Sequence, residues 1–559
     1  MKARPHQIEA LDTVWTAMQT EKAVLLQAPC SFGKTFIIAK ICQKLLSVLP
    51  SARILILMDR EILVEQTRDK IQVACPELFM DIGVVCSSIQ KLDAMSFEKR
   101  ILIASRQSLI NQLDKLMKTH LIVIDECHLL RTPHKERKPD QFGQIINFLK
   151  GYNPKLTLFG VTATPYRLSE GYIYGDRHPP GFEPYFKDLH YKGSVKRLEA
   201  EGFLAPLIGE TINIQSLQTR LESIPLVGGE YNIDLLGKLM SEGIYINAAV
   251  ELWQSKAKDR KKTLAFCVNI DHAEKLAEAF NKAGIKAVAI HSEQETFDQV
   301  QAIEELNKPN SEYKVFCSVA KLTTGVDVPE IDCLLIVRST KSASLHVQMI
   351  GRVQRIAEGK NDGLVLDMVG NCHEFGKDLD KVKVKYKTQA EQQEKKNVKI
   401  CPQCDNEVHV ATRFCVHCNY EFAKSKEEQT TAPEMMNVEF NKPDPPLTVE
   451  VDSMYVMEHI NKKNKKKTLR IKFDYPSIAT YMKSISSYLC FEKDGYSSFA
   501  ALKGRNLWAI LTDNEIPCPA SVDEALLLKK HIYKPKQLLV DFNGEYPEIK
   551  KFIYEEIPF

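Results

Sequence analysis

From residue 1 to about 170, short apolar runs recur between segments of helical spacing. The runs AVLLQAP, RILILMD, RILIAS, LIVIDE and LTLFGVTATP are hydrophobic almost without interruption. A strand with one face in water alternates polar and apolar residues. These runs do not, so they predict strands buried on both faces, as in a parallel sheet. Intervening segments such as FIIAKICQKLLSVL carry the helix period. A second set begins near residue 262, with KTLAFCVN, KAVAIHS, YKVFCSVA, CLLIVRS and GLVLDMV, and helices such as DHAEKLAEAFNKAG lie between them. The pattern is that of two α/β units in tandem.

Elsewhere the pattern weakens. Residues 171–245, rich in Gly, Pro and Tyr, give no clear assignment. Residues 378–400 are polar and charged and read as a linker, and 422–446 read as a second one. Beyond them, the alternating stretches LTVEVDSMYVMEHI and TLRIKFDY, split by NKKNKKK, predict a β-hairpin with a lysine-rich turn.

At 559 residues the chain is too long for one core, and roughly three or four domains are expected. A formal charge of +3 neither requires nor excludes a polyanionic partner. No apolar run is long enough to cross a bilayer, and MKARPHQIEALDTVW has no signal-peptide core. Most of the 15 cysteines, Cys42, Cys86, Cys267, Cys317 and Cys333 among them, sit singly in apolar surroundings, as reduced core cysteines do. The expectation is a soluble, cytoplasmic protein without a membrane partner.

The stretch LLQAPCSFGKTFII (25–38) has the form of a phosphate-binding loop, strand before and helix after, but Ala28 stands where the first glycine is usual. Ala28, Pro29, Cys30, Ser31, Phe32 and Gly33 form the candidate loop around ATP. Lys34 is placed to reach the β- and γ-phosphates and Thr35 the Mg²⁺. Ser31 is the main departure, because a non-glycine there strains the loop. A GKT at a helix start also arises by chance. Downstream, LIVIDECHLL ends a strand with two carboxylates: Asp125 is the candidate Mg²⁺ residue and Glu126 the candidate general base. An acidic pair after a strand is common by itself, and gains meaning from the loop upstream.

Further segments follow in a fixed order: RPHQ (4–7) before these motifs, then VTATPYR (161–167), KLTTGVDVPEID (321–332) and QMIGRVQR (348–355). Over about residues 1–370 the chain resembles the superfamily 2 helicases and translocases of the DECH-box type. The resemblance implies an ATP site between two RecA-like domains. It implies that Gln7 reads adenine, that Thr162 to Thr164 couple hydrolysis to domain movement, and that Gly325 and Asp327 sense nucleotide. It further implies that Arg352 and Arg355 reach the γ-phosphate across the cleft, although a solvated helix face is the bland alternative.

Cys401-x2-Cys404-x10-Cys415-x2-Cys418 has the spacing of a four-thiolate Zn²⁺ site, closed and structural. Together with the C-terminal KPKQLLVDFNGEYPEI it resembles the RadD-like DNA-repair ATPases of bacteria, here as a compact relative of cellular or phage origin that lacks additional cysteine pairs. The expected domains are 1–203 and 204–380 (RecA-like, the first binding ATP), 398–421 (zinc ribbon) and 445–559 (a small β-rich domain). By motif position, Arg60, Ser105, Arg106, Gln107, Thr323 and Thr324 are candidate contacts to nucleic acid, each equally readable as an ordinary loop residue.

The expected function is ATP-dependent movement on single-stranded or branched DNA in repair, recombination or replication. The resemblance implies a further partner, the single-stranded DNA-binding protein. A restriction-modification motor subunit, an RNA helicase, and a nucleic-acid-binding scaffold with a silent nucleotide site are the alternatives. Cys30 and Ser31 are the only support for the last.

Overall fold

The computed structural model describes residues 3–86, 94–175, 181–213, 215–291, 293–294, 296–308, 310–319, 328–384, 398–400, 407–409, 434–440, 446–460, 465–475, 484–513, 515–541 and 547–554. The chain forms two compact units, Met1–Asn441 and Lys442–Phe559.

The first unit holds two sheets. One contains β1 (Ala23–Gln27), β2 (Ile54–Met58), β3 (Ile82–Val85), β4 (Ile101–Ser105), β5 (Leu121–Asp125), β6 (Thr157–Thr162) and, after the small hairpin β7 (Tyr166–Arg167) and β8 (Gly171–Tyr172), β9 (Tyr191–Lys192). Their order is β3-β4-β2-β5-β6-β1-β9, and every pair is parallel. Successive residues of one strand enter different cores: Val24 and Leu26 face one, Leu25 the other, and Ile54 and Ile56 are divided in the same way from Leu55 and Leu57. Two-sided burial is the reason these strands read as unbroken apolar runs.

The second sheet holds β10 (Leu207–Asn213), then, past the hairpin β11 (Leu226–Val227) and β12 (Glu230–Tyr231), β13 (Thr263–Cys267), β14 (Ala287–Ile290), β15 (Val315–Val319), β16 (Cys333–Ile336) and β17 (Gly363–Asp367). A hairpin of β18 (Val398–Ile400) and β19 (Glu407–His409) follows, and then β20 (Glu434–Glu439), which returns to the sheet. The order is β14-β15-β13-β16-β17-β10-β20, parallel except for β20 against β10. These are two RecA-like parallel-sheet domains.

Two stretches read as linkers are not free. Residues 434–440 form β20, and Phe440 is buried against Gly209, where a β-carbon would collide with its ring. The polar composition concealed an edge strand whose pairing partner lies more than two hundred residues upstream. At the start of 378–400, Leu379 is buried and Asp380 caps the helix Val195–Ala200. Its carboxylate accepts from Ser194 Oγ (2.6 Å), Val195 N–H (2.7 Å) and Lys196 N–H (3.3 Å). Negative charge at a helix N-terminus meets unpaired amides there.

The second unit is built on two three-stranded antiparallel sheets: β21 (Leu447–Glu450) with β25 (Gln537–Asp541) and β26 (Glu548–Ile553), and β22 (Ser453–Ile460) with β23 (Lys467–Asp474) and β24 (Ser484–Leu489). The expected hairpin is β22–β23. The stretch LTVEVDSMYVMEHI breaks at Val451–Asp452, so its two halves serve different sheets. Trp508, from the helix Ser498–Leu511, fills the core with Phe473, Ile471 and Leu538. The four cysteines Cys401, Cys404, Cys415 and Cys418 lie outside the described residues, as do Thr323, Thr324, Gly325 and Asp327.

Candidate active site

The carboxyl ends of β1, β6 and β5 lie side by side, with Gln27 level with Thr162 and Asp125 level with Val161. Open parallel sheets place their ligand crevice at such ends. The segment leaving β1 is held by Ala28 N–H donating to Thr162 O (2.8 Å) and closes in a turn through Phe32 N–H to Pro29 O (3.2 Å). Phe32 is buried and anchors the loop. Ser31 has φ of 63° and Gly33 of 94°, both in the left-handed region. Serine therefore occupies a position suited to glycine, and its buried Oγ has no hydrogen-bond partner among the described residues.

The loop delivers Lys34 and Thr35 as the first residues of the helix Lys34–Val48. Lys34 Nζ forms a close ion pair with Glu126 Oε1 and lies 3.9 Å from Asp125 Oδ1. Burial alone disfavours the Lys34 ammonium, but Glu126 and Asp125 override it and hold its pKa well above the usual lysine range. Burial likewise works against Glu126 ionisation. Lys34 and then His128 reverse that effect and keep Glu126 well below the carboxylate range. Asp125 is pushed up by burial, which Lys34 only partly opposes. Two part-buried carboxylates face one lysine. That surplus of negative charge fits a divalent cation.

Glu126 itself adopts φ 50°, a left-handed conformation rare outside glycine. Its N–H donates to Asp125 Oδ1 (2.9 Å). The backbone turns sharply after β5 and brings both carboxylates to face the loop.

The second domain reaches this site. His128 Nδ1 lies 2.9 Å from Thr162 Oγ1, and its Nε2 lies 3.3 Å from Gln348 Nε2. Thr164 Oγ1 and Ser344 Oγ are 2.6 Å apart and buried. Gln348 and Ser344 share one face of the helix Ala343–Ile350. The linking roles of His128 and Ser344 were not apparent from the sequence, because their partners are far away along the chain. Spacing four residues before Gln348 was the only signal for Ser344. Arg352 and Arg355 follow Gly351 beyond that helix, and both are part-buried.

Other expected residues have different surroundings. Gln7 is buried and its amide is committed: Oε1 accepts from Arg4 N–H (2.9 Å) and Nε2 donates to Phe32 O (2.9 Å). It braces the loop in this structure. Ser105, expected at a strand of nucleic acid, is fully buried and caps the short helix that follows it, accepting from Ser108 N–H (3.2 Å). In this structure the Ser105 hydroxyl serves as a cap and presents no side-chain surface. Arg106 pairs with Asp59 (2.7 Å) and Gln141 (2.8 Å), whereas Arg60 and Gln107 are exposed. Tyr166, Tyr172 and Tyr174 pack edge-on with one another.

Residues 1–167 match the family model described as type III restriction enzyme, res subunit, and residues 245–357 match the helicase conserved C-terminal domain. The chain is 28% identical over 380 residues to a putative mitochondrial ATP-dependent helicase, irc3, of Schizosaccharomyces pombe, covering 66% of this chain and 57% of that one. A 51.5 kDa protein of a Lactococcus phage is 24% identical, covering 71% and 78%. The type I restriction enzyme EcoAI endonuclease subunit of Escherichia coli is 25% identical, covering 64% and 44%. The chain thus spans a little over half the length of the Schizosaccharomyces pombe relative, 57%.

Proposed function

We propose that this superfamily 2 helicase-type ATP hydrolase is a DNA-stimulated motor that translocates on or remodels single-stranded or branched DNA. The observation that supports the reading most is the composite site, in which Lys34, Asp125 and Glu126 of the first domain are joined through His128 to Gln348 of the second. A site assembled from two domains performs chemistry only in one relative arrangement of them, and this is how hydrolysis couples to movement.

In the proposed mechanism, Gly33 backbone and Lys34 hold the phosphates. Thr35 and Asp125 would hold Mg²⁺, which would supply charge neutralisation for the phosphates when bound. The Lys34–Glu126 pair is the resting form. Phosphates that draw Lys34 away leave Glu126 free to orient water and accept its proton. Arg352 and Arg355 stabilise charge on the γ-phosphoryl group once the cleft is closed. Gly325 and Asp327 sense nucleotide, and Gln7 turns to adenine on binding.

The finer reading is a RadD-like role in DNA repair, recombination or replication, in the bacterial or phage-infected cytoplasm, with single-stranded DNA-binding protein as a partner. The spacing of Cys401, Cys404, Cys415 and Cys418 in the sequence is what supports structural Zn²⁺. The motor subunit of a restriction-modification system is the second reading, favoured by the first family match and by the Escherichia coli relative.

The test is steady-state ATP hydrolysis without nucleic acid and with single-stranded DNA, duplex, forked DNA and RNA, with Lys34→Ala as the blank. Stimulation by DNA that Lys34→Ala abolishes is expected. Stimulation by RNA alone overturns the reading, and co-purification with a methyltransferase favours the restriction reading.

A further inference from the structure

The first domain also carries a groove away from the catalytic carboxylates' own residues. It has a volume of about 330 Å³ and lies between the segment 131–140, the helix Gln141–Tyr152 and residues 183–185. Four long cations line it: Arg131, Arg137, Lys138 and Lys150. Two carboxylates stand among them, and both are engaged elsewhere. Asp140 Oδ1 accepts from Gly143 N–H (2.9 Å) and Oδ2 from Arg131 N–H (3.3 Å), while Glu183 lies 3.6 Å from Lys135.

Among the described residues, none of the four cationic side chains pairs with a carboxylate. Arg137 lies over Phe182 and Lys150 over Tyr185, each 5.6 Å from the ring centre. Burial, and then neighbouring Lys22, lower the pKa of Lys150. Four cations face two carboxylates, one of which is shared with Lys135, and the excess of positive charge is one that a bound anion relieves.

The groove continues a line of cations. In the sheet, β4, β2 and β5 are neighbours in that order. Arg106 follows β4, Arg60 follows β2, and the segment 131–140 follows β5. Arg106 ties the row together, donating to Asp59 beside Arg60 (2.7 Å) and to Gln141 (2.8 Å), the first residue of the helix that Asp140 caps. A row of cations across adjacent strand ends suits a linear polyanion more than a compact acidic segment.

We infer that this groove holds phosphates of the nucleic-acid backbone and extends the strand-binding face of the first domain beyond β5. The inference rests on the DNA-motor reading above. The contacts are electrostatic and read no sequence.

The full chain carrying R137Q and K138Q together, and separately K150Q, tests it. Fluorescein-labelled single-stranded and forked DNA are titrated at several salt concentrations. In the double variant the low-salt Kd is expected to rise about five- to tenfold, and the slope of log Kd against log salt to shrink by about 1 to 2. K150Q shifts both in the same direction by less, and hydrolysis without DNA stays at the wild-type rate in both variants. Unchanged affinity and slope in both variants, with wild type binding DNA normally, overturns the groove assignment alone. A labelled aspartate-rich peptide is titrated in parallel, and variants that lose peptide binding while DNA binding stays intact also overturn the assignment, in favour of an acidic protein segment. A wild-type chain that binds no DNA defeats the motor reading and the groove with it.

Discussion

Cys30 of the phosphate loop packs directly onto Gly351 of the second domain, so closely that any β-carbon at 351 would overlap the sulfur. Gly351 has ordinary helical backbone angles (φ −58°, ψ −15°), so its conformation does not require glycine. The demand is steric and comes from across the cleft. The odd residue in the loop thus has a matching absence on the facing domain, next to Arg352.

Gly351→Ala should therefore hold the cleft open with little loss of stability. ATP hydrolysis is expected to fall about a hundredfold, the scale of an ångström of misplacement at a reacting centre. Adding Cys30→Gly removes the obstructing side chain and should restore much of the rate. Failure of that second change to rescue would show that residue 351 acts in another way.

Ser31→Gly removes a left-handed serine and a buried hydroxyl without a partner. Relief of the backbone conformation alone is worth about 1 kcal/mol. A higher unfolding midpoint with hydrolysis intact is expected. A decrease in both would mean that the hydroxyl has a role with nucleotide bound.

His128→Ala and Gln348→Ala each cut the link between the domains. Coupling of this kind is worth about 1–2 kcal/mol, so DNA stimulation of hydrolysis should fall roughly five- to thirtyfold. The unstimulated rate should change less. The double variant should lose little more than His128→Ala alone, because the contact that Gln348→Ala removes is then already gone.

Lys34→Ala leaves Asp125 and Glu126 as neighbouring part-buried carboxylates. At neutral pH this should cost about 3 kcal/mol, the scale for breaking a buried pair. Wild-type Glu126 has a folded pKa below its unfolded one, so its stabilising contribution exists above about pH 4.3 and fades as pH falls toward the folded value. In the variant, one carboxylate titrates above its unfolded value, so its penalty shrinks on acidification. Both effects narrow the stability gap from neutral pH toward about pH 4. Denaturation midpoints at several pH values check this, and a gap that widens with acid would contradict it.

Phe440→Ala should cost about 3 kcal/mol, because the ring is buried against Gly209 at the edge of the second sheet. A shift in the unfolding midpoint of the 1–441 unit reports it. No shift would mean that β20 contributes nothing to that sheet.

Local information was enough for much of this protein. Unbroken apolar runs could only be strands buried on both faces, and their number and spacing marked two α/β units. The order of short motifs placed Lys34 at a helix start and Asp125 and Glu126 at a strand end, where each motif needs only its own neighbours to acquire its shape. Alternation between residues 447 and 475 was enough to reveal β22 and β23. Tertiary structure decided what depends on distant partners. It placed 434–439 in a sheet rather than a linker, because the partner strand β10 lies far upstream and local composition does not reveal it. It turned Asp380 from one charge in a run into a helix cap, buried Ser105, and committed Gln7 to the loop. It brought His128 to Gln348 and Cys30 to Gly351. Such contacts leave no periodic trace in a sequence, since each partner is chosen by the packing of two domains rather than by its neighbours along the chain.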